Sequence, residues 1–247
     1  MLYKIINSPK RVLVVSIIFN FAELTATAQS NIGNKYGLNI VDNAKILQTE
    51  IVKDSNNKMI DLKKAIPSLI IDLRYTTTNN FMHRPLYPSL HTTYLRLAAV
   101  NALKKVVIAL NNKNLTLKIF DAYRPYAVTE EMWEVVKDSR YAADPANGSG
   151  HNRGTSVDLT LVNIRSKKEL DMGTGFDNFS DTAHQDFSAL PTTVLQNRIL
   201  LKTTMEKYGF VSLDTEWWHF SLSDAKNYEL LNIPFDELKK LNDNEKY

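Results

Sequence analysis

The sequence contains no cysteine. That excludes disulfides, thiolate metal sites and a lipid-bearing cysteine near the N-terminus, although it identifies no redox compartment. Charge of one sign is also scarce. The net charge is +3 over 247 residues. Residues 1–28 hold Lys4, Lys10, Arg11 and Glu23, so the leader accounts for +2 and the remainder carries about +1. No basic field suited to nucleic acid is present, and none is expected as a partner. No apolar run approaches the ~20 residues that span a bilayer. Internal repeats and low-complexity blocks are absent as well.

The first 28 residues read as a secretory signal. Lys4, Lys10 and Arg11 form a positive start, Val12 to Phe21 a short apolar stretch, and Ala26-Thr27-Ala28 a small-x-small cleavage site. The expected mature chain begins at Gln29, is exported across the inner membrane into the periplasm, and has no stable membrane insertion after cleavage. Residues 29–66 read as an N-terminal extension, its polar, Asn-rich part (29–57) acting as a tether or wrapping segment. Residues 67–222 form the expected catalytic domain, and 223–247 a charged tail with a short helix near Phe235 to Leu241.

Within the domain, Ser68 to Leu73 suggests a strand. Leu95, Ala99, Leu103, Val106, Val107 and Leu110 fall on one face of a helix over 93–111, which Asn111 to Asn114 ends. Leu115 to Phe120 alternates as a strand and delivers Asp121 and Arg124 at its end. A helix over Thr129 to Lys137 follows. Residues 138–150 and 163–190 are long loops, which are often functional in compact domains. Pro191 to Tyr208 reads as a helix stopped by Gly209. Phe210 to Ser212 and Trp217 to Leu222 suggest a hairpin about Asp214-Thr215. Separate strands and helices predict an α+β single domain, with a largely antiparallel sheet flanked by helices.

Two segments carry the chemistry. One is Ser149-Gly150-His151-Asn152-Arg153-Gly154-Thr155-Ser156-Val157-Asp158, the other Glu216-Trp217-Trp218-His219. Two imidazoles, an aspartate and a glutamate are the inventory of a catalytic zinc site: three ligands, an open position and a carboxylate to handle a proton. His151 and Asp158 lie seven apart, across a turn that Gly154 can close. Asp158 falls in a strand-like run, where a carboxylate is costly unless compensated. His219 would be the third ligand, and Glu216 is close enough to serve as the base. Each part has an ordinary alternative: a hydrogen-bonded histidine, an aspartate as turn former, and aromatics packing at a strand end. His83, His91 and His184 read as ordinary surface groups, and Trp217 and Trp218 as packing around the site.

The pattern Ser-x-His-x-x-Gly-x-x-x-Asp followed by Glu-Trp-Trp-His resembles the zinc D-alanyl-D-alanine dipeptidases of the VanX type, which share a fold with the Hedgehog signalling domain. Leu73-Arg74-Tyr75 with Asn80-Phe81 is similar to that family's N-terminal segment, although Thr76-Thr77-Thr78 departs from it in the middle. Asp121-Ala122-Tyr123-Arg124-Pro125 and Asp171-Met172-Gly173-Thr174-Gly175-Phe176-Asp177 are similar to two more of its motifs, in family order. The resemblance implies one Zn(2+) per chain held by His151, Asp158 and His219, with Glu216 as general base and Arg124 answering charge on the scissile carbonyl. It further implies that Tyr75 and Asp177 take the ammonium of a free dipeptide and Ser149 its carboxylate. For Arg124 the alternative is a structural salt bridge with Asp121. For Tyr75, Ser149 and Asp177 it is ordinary work in core, turn and loop. The implied substrate is a small-molecule dipeptide, chiefly D-alanyl-D-alanine. A zinc D,D-carboxypeptidase trimming peptidoglycan stems is the nearest rival. A secreted zinc-binding module without catalysis is a rival of another class, disfavoured because both Glu216 and Arg124 are present.

Overall fold

The computed structural model describes residues 34–244, and the expected signal and cleavage site lie outside the described residues. In chain order the elements are β1 (Ile40–Val41), α1 (Ala44–Lys53), β2 (Met59–Asp61), α2 (Leu62–Ala65), β3 (Ile70–Ile71), β4 (Tyr94–Arg96), α3 (Leu97–Asn111), β5 (Leu115–Asp121), α4 (Tyr126–Val136), β6 (Ser156–Asn163), α5 (Thr192–Lys207), β7 (Phe210–Leu213), β8 (Glu216–Leu222), β9 (Leu230–Leu231) and α6 (Phe235–Asn244). Five strands make the main sheet in the order β3-β5-β6-β8-β7. All its pairs are antiparallel except β3 with β5. The class is therefore α+β, as the strand and helix signals predict.

The core lies between this sheet and α3 with α5. Leu103, Val106 and Leu110 of α3 meet Leu117, Ile119, Leu159 and Leu161 of the sheet, with Leu201 and Met205 of α5. Each such side chain contributes about 1.5–3 kcal/mol by leaving water. The helical face of α3 is the expected one, with one difference. Leu95 belongs to β4, because Tyr94–Arg96 pairs with Met59–Asp61. Once that ladder takes the backbone groups, the helix starts at Leu97 rather than 93. Helix α4, by contrast, starts earlier than expected, immediately after Pro125. A proline there loses nothing, since the groups preceding a helix have no intrahelical acceptor for their N–H.

Residues 34–66 and 223–244 meet each other. β1 pairs with β9 in parallel. Asp61 donates its backbone N–H to Asn242 Oδ1 (3.1 Å), and Asn242 Nδ2 donates to Met59 O (2.8 Å). Helix α1 falls in the segment read as a tether, and Leu47 is its one buried residue. Asn43 caps it, accepting from Lys45 N at 2.8 Å.

Two buried arginines stitch the loops that frame the site. Arg96 donates to the carbonyls of Asn57, Arg153 and Glu229. Arg198, inside α5, donates to those of Met172 (2.8 Å), Thr182 (2.8 Å) and His184 (2.9 Å). The second set gathers the 163–190 loop against the helix. That a charged residue occupies a buried face of α5 also explains why this helix is poorly patterned in sequence.

Candidate active site

The antiparallel register of β6 and β8 places Asp158 directly opposite His219. His151 reaches the same point from the turn before β6. That turn closes with Gly154 N donating to His151 O, and Gly154 has φ +69°. A side chain there would be strained, and its Cβ would also lie 2.7 Å from Met59 Sδ. His151 Nδ1 sits 2.7 Å from Ala122 O. A carbonyl only accepts, so Nδ1 carries the hydrogen, and in the neutral ring Nε2 is then the lone pair.

Three ligand-type atoms then converge. His151 Nε2 is 3.2 Å from His219 Nδ1, His219 Nδ1 is 2.9 Å from Asp158 Oδ1, and Asp158 Oδ1 is 3.4 Å from His151 Nε2. A tetrahedral ion with bonds of about 2.0–2.1 Å sets its ligand atoms roughly 3.3 Å apart. The donor set and the triangle's edges both fit a metal ion of this kind. Among the described residues this is the group of His and carboxylate side chains that could hold one. Asp158 is almost wholly buried. Burial pushes its carboxyl up, but His151 and His219 outweigh this and hold it well below the usual carboxylate range. Burial lowers His219, favouring its neutral, ligating form.

The triangle forms part of the wall of a cavity of about 250 Å³, also lined by Tyr75, Arg124, Ser149, Asp177 and Glu216. All eight residues singled out in the sequence thus meet in one place. Arg124 follows β5, whose register shifts between Ile119 and Asp121. Its Nε and Nη2 donate to Asp121 Oδ2 (3.1 and 2.7 Å), and Nη2 lies 4.0 Å from Asp158 Oδ2. The ion pair with Asp121 and the place in the cavity wall therefore coexist. The guanidinium stands 5.3 Å over the Tyr75 ring. Tyr75 OH donates to Asp177 Oδ1 at 3.0 Å, across 102 residues of sequence. Ser149 Oγ accepts from His151 N at 3.1 Å. Glu216 is buried, and burial, followed by the negative charges of Asp158 and Asp177, pushes its carboxyl well up.

Asp177 holds φ +59°, a left-handed conformation that a non-glycine residue adopts at some cost. Burial, with Asp158 next, pushes its carboxyl up to about 7 from an ordinary 3.8. A carboxyl raised on folding keeps a proton that the unfolded chain has released. Its contribution to stability is present at low pH and is lost as the pH rises from about 4 to about 7. Metal-free parent is therefore expected to lose melting temperature relative to Asp177→Asn across that window. Equal slopes in the two proteins would contradict this.

Two supporting residues had no clear signal. Asn152 is fully buried; its side chain donates to Arg124 O (2.9 Å) and Thr129 Oγ1 (2.8 Å) and accepts from Ser149 N (3.0 Å). It ties Ser149 to Arg124, and its place inside the histidine segment was the available clue. Tyr87 OH donates to Asp121 Oδ1 at 3.1 Å, behind Arg124. Nothing in its own neighbourhood, between two prolines, points there. His83, His91 and His184 do not line the cavity.

The family model described as D-ala-D-ala dipeptidase, peptidase M15, matches residues 55–240. The chain belongs to this peptidase family. A D-alanyl-D-alanine dipeptidase of Escherichia coli K12 is 36% identical over 178 residues, covering 72% of this chain and 91% of the relative. One from Enterococcus faecalis V583 is 26% identical, covering 68% of this chain and 93% of its own length. One from Streptomyces coelicolor is 28% identical, covering 62% and 85%. For a dipeptidase-family chain a small peptide substrate follows, and no helix of the described residues is long and apolar enough to cross a membrane.

Proposed function

We propose that this peptidase is a zinc-dependent dipeptidase that hydrolyses free D-alanyl-D-alanine in cell-wall peptide turnover. The observation that carries the proposal is the juxtaposition, in one small cavity, of the His151–Asp158–His219 triangle with Glu216, Arg124 and the Tyr75–Asp177 pair. When bound, zinc would polarise the scissile carbonyl and bring the pKa of a water to roughly 7. Glu216 takes the proton from the attacking water and passes it to the leaving amine. Its buried, anion-flanked carboxyl holds a proton readily, which suits the second half of that task. Arg124, fixed by Asp121, donates to the carbonyl oxygen as negative charge develops there. Asp177 and the Tyr75 hydroxyl receive the substrate ammonium, and Ser149 its carboxylate. Binding both charged ends in one cavity rejects peptides that lack either one, because the site's own polar groups would stay unpaired.

The carboxypeptidase rival uses the same metal and the same base. It is disfavoured by the carboxylate of Asp177, which suits a free ammonium and not a continuing peptide chain. Side-by-side assays on D-Ala-D-Ala and on a stem pentapeptide test the choice. The dipeptide is expected to be consumed while the pentapeptide stays intact; comparable cleavage of both would establish the carboxypeptidase. We further propose action in the periplasm, on the strength of the N-terminal leader. Intact-mass analysis of the native protein is expected to show a chain starting at Gln29, and a cytoplasmic protein retaining residues 1–28 would overturn it.

A further inference from the structure

We propose that Ser221, backed by Ser156, is a positioning residue that presents Nδ1 of His219 to the metal. The inference rests on the metal reading of the same site. It concerns residues that do not line the cavity and act only through His219.

The two imidazoles of the triangle offer different nitrogens. His151 turns Nε2 inward because Ala122 O takes the hydrogen on Nδ1. His219 turns Nδ1 inward, toward Asp158 Oδ1 and His151 Nε2. A ligating Nδ1 must be a lone pair, so the hydrogen of neutral His219 sits on Nε2 and needs an acceptor. Ser221 Oγ is 3.1 Å from that nitrogen. Without it the outer ring nitrogen would lose its partner, and the opposite tautomer and ring rotation would cost less. Groups that hold the far nitrogen of a metal-binding histidine typically contribute ~10–100-fold to metal affinity.

The sheet explains why a serine can do this. Residues two apart on a strand share a face, so Ser221 stands beside His219 on β8. Opposite them on β6, Ser156 pairs with Ser221 as Asp158 pairs with His219. The ligand rung thus has a hydroxyl rung next to it. The hydroxyls of Ser221 and Ser156 are hydrogen-bonded to each other. Ser156 is fully buried, so its own hydroxyl has little freedom. The remaining side of this cradle is Gly150. A Cβ there would lie 1.9 Å from Ser156 Oγ and 3.1 Å from Ser221 Oγ. The glycine between Ser149 and His151 therefore keeps space for the serine pair, which assigns a reason to a residue the chemistry itself does not use.

The test is zinc affinity of the whole protein, measured by competition with a chromophoric chelator, for the parent, S221A, S221T and D158A. S221A is expected to bind zinc ~10–100-fold more weakly than the parent. S221T, which restores the hydroxyl, is expected to return most of that loss, and D158A to abolish tight binding. Melting temperatures in excess chelator are expected to be the same for parent and S221A, which separates metal positioning from fold stability. Parent-like affinity in S221A, equal weakening in S221A and S221T, or a metal-free melting temperature that falls with the affinity would each overturn the inference. A parent that takes up no zinc would overturn the metal reading itself, and this inference with it.

Discussion

Replacement of Glu216 by glutamine is expected to cut turnover on D-Ala-D-Ala by ~10²–10⁴-fold or more, because a positioned general base typically contributes that much. Zinc content should stay near about one ion per chain, since the triangle of His151, Asp158 and His219 is complete without it. The change keeps the size of the side chain and its place at the start of β8, so the folded structure should survive. His151→Ala, Asp158→Ala and His219→Ala should each lose the metal instead. Arg124→Ala should keep the metal and lose kcat more than KM, because the charge it answers develops in the transition state. Kinetics and metal analysis on the same preparations separate these roles. A Glu216→Gln protein depleted of zinc would make Glu216 a ligand and collapse the assignment.

The second large effect concerns the substrate's amino group. N-acetyl-D-Ala-D-Ala is expected to be hydrolysed at least ~10²-fold less efficiently than D-Ala-D-Ala, because acylation removes the charged partner of Asp177. The Asp177 carboxylate accepts from Tyr75 OH, and the loop carrying it is anchored by Arg198, so it is not free to turn away. Asp177→Asn should lower kcat/KM on the free dipeptide and narrow the gap to the acetylated one. Comparing kcat/KM for both substrates on both proteins checks this. Equal efficiency of the parent on the two would remove Asp177 from ammonium recognition.

The strands of the main sheet and helix α3 were legible in the sequence because their apolar residues recur at strand or helix spacing, and α5 because Pro191 and Gly209 mark its ends. So were the eight site residues, though for a different reason. Their identities follow motif order, but their convergence depends on pairings that spacing does not reveal. The 61-residue separation of Asp158 and His219 becomes contact only through the β6–β8 register. The same ladder logic hid β4, whose Leu95 also satisfies the helical period of α3. Helix α1 lies between polar, Asn-rich flanks, which mask its short apolar period in the sequence. Tyr87 and Arg198 were illegible for a further reason: each acts through long-range polar bonds, to a carboxylate or to loop carbonyls, and such bonds leave no local period.

The central claim is that the His151–Asp158–His219 triangle holds the zinc on which peptide hydrolysis depends. Titration of metal-stripped protein with zinc, read as D-Ala release from D-Ala-D-Ala, tests it most directly. The account predicts negligible activity before metal is added, and a rise that saturates near about one equivalent per chain. Full activity in the stripped protein, or saturation by zinc with no D-Ala released, would contradict it.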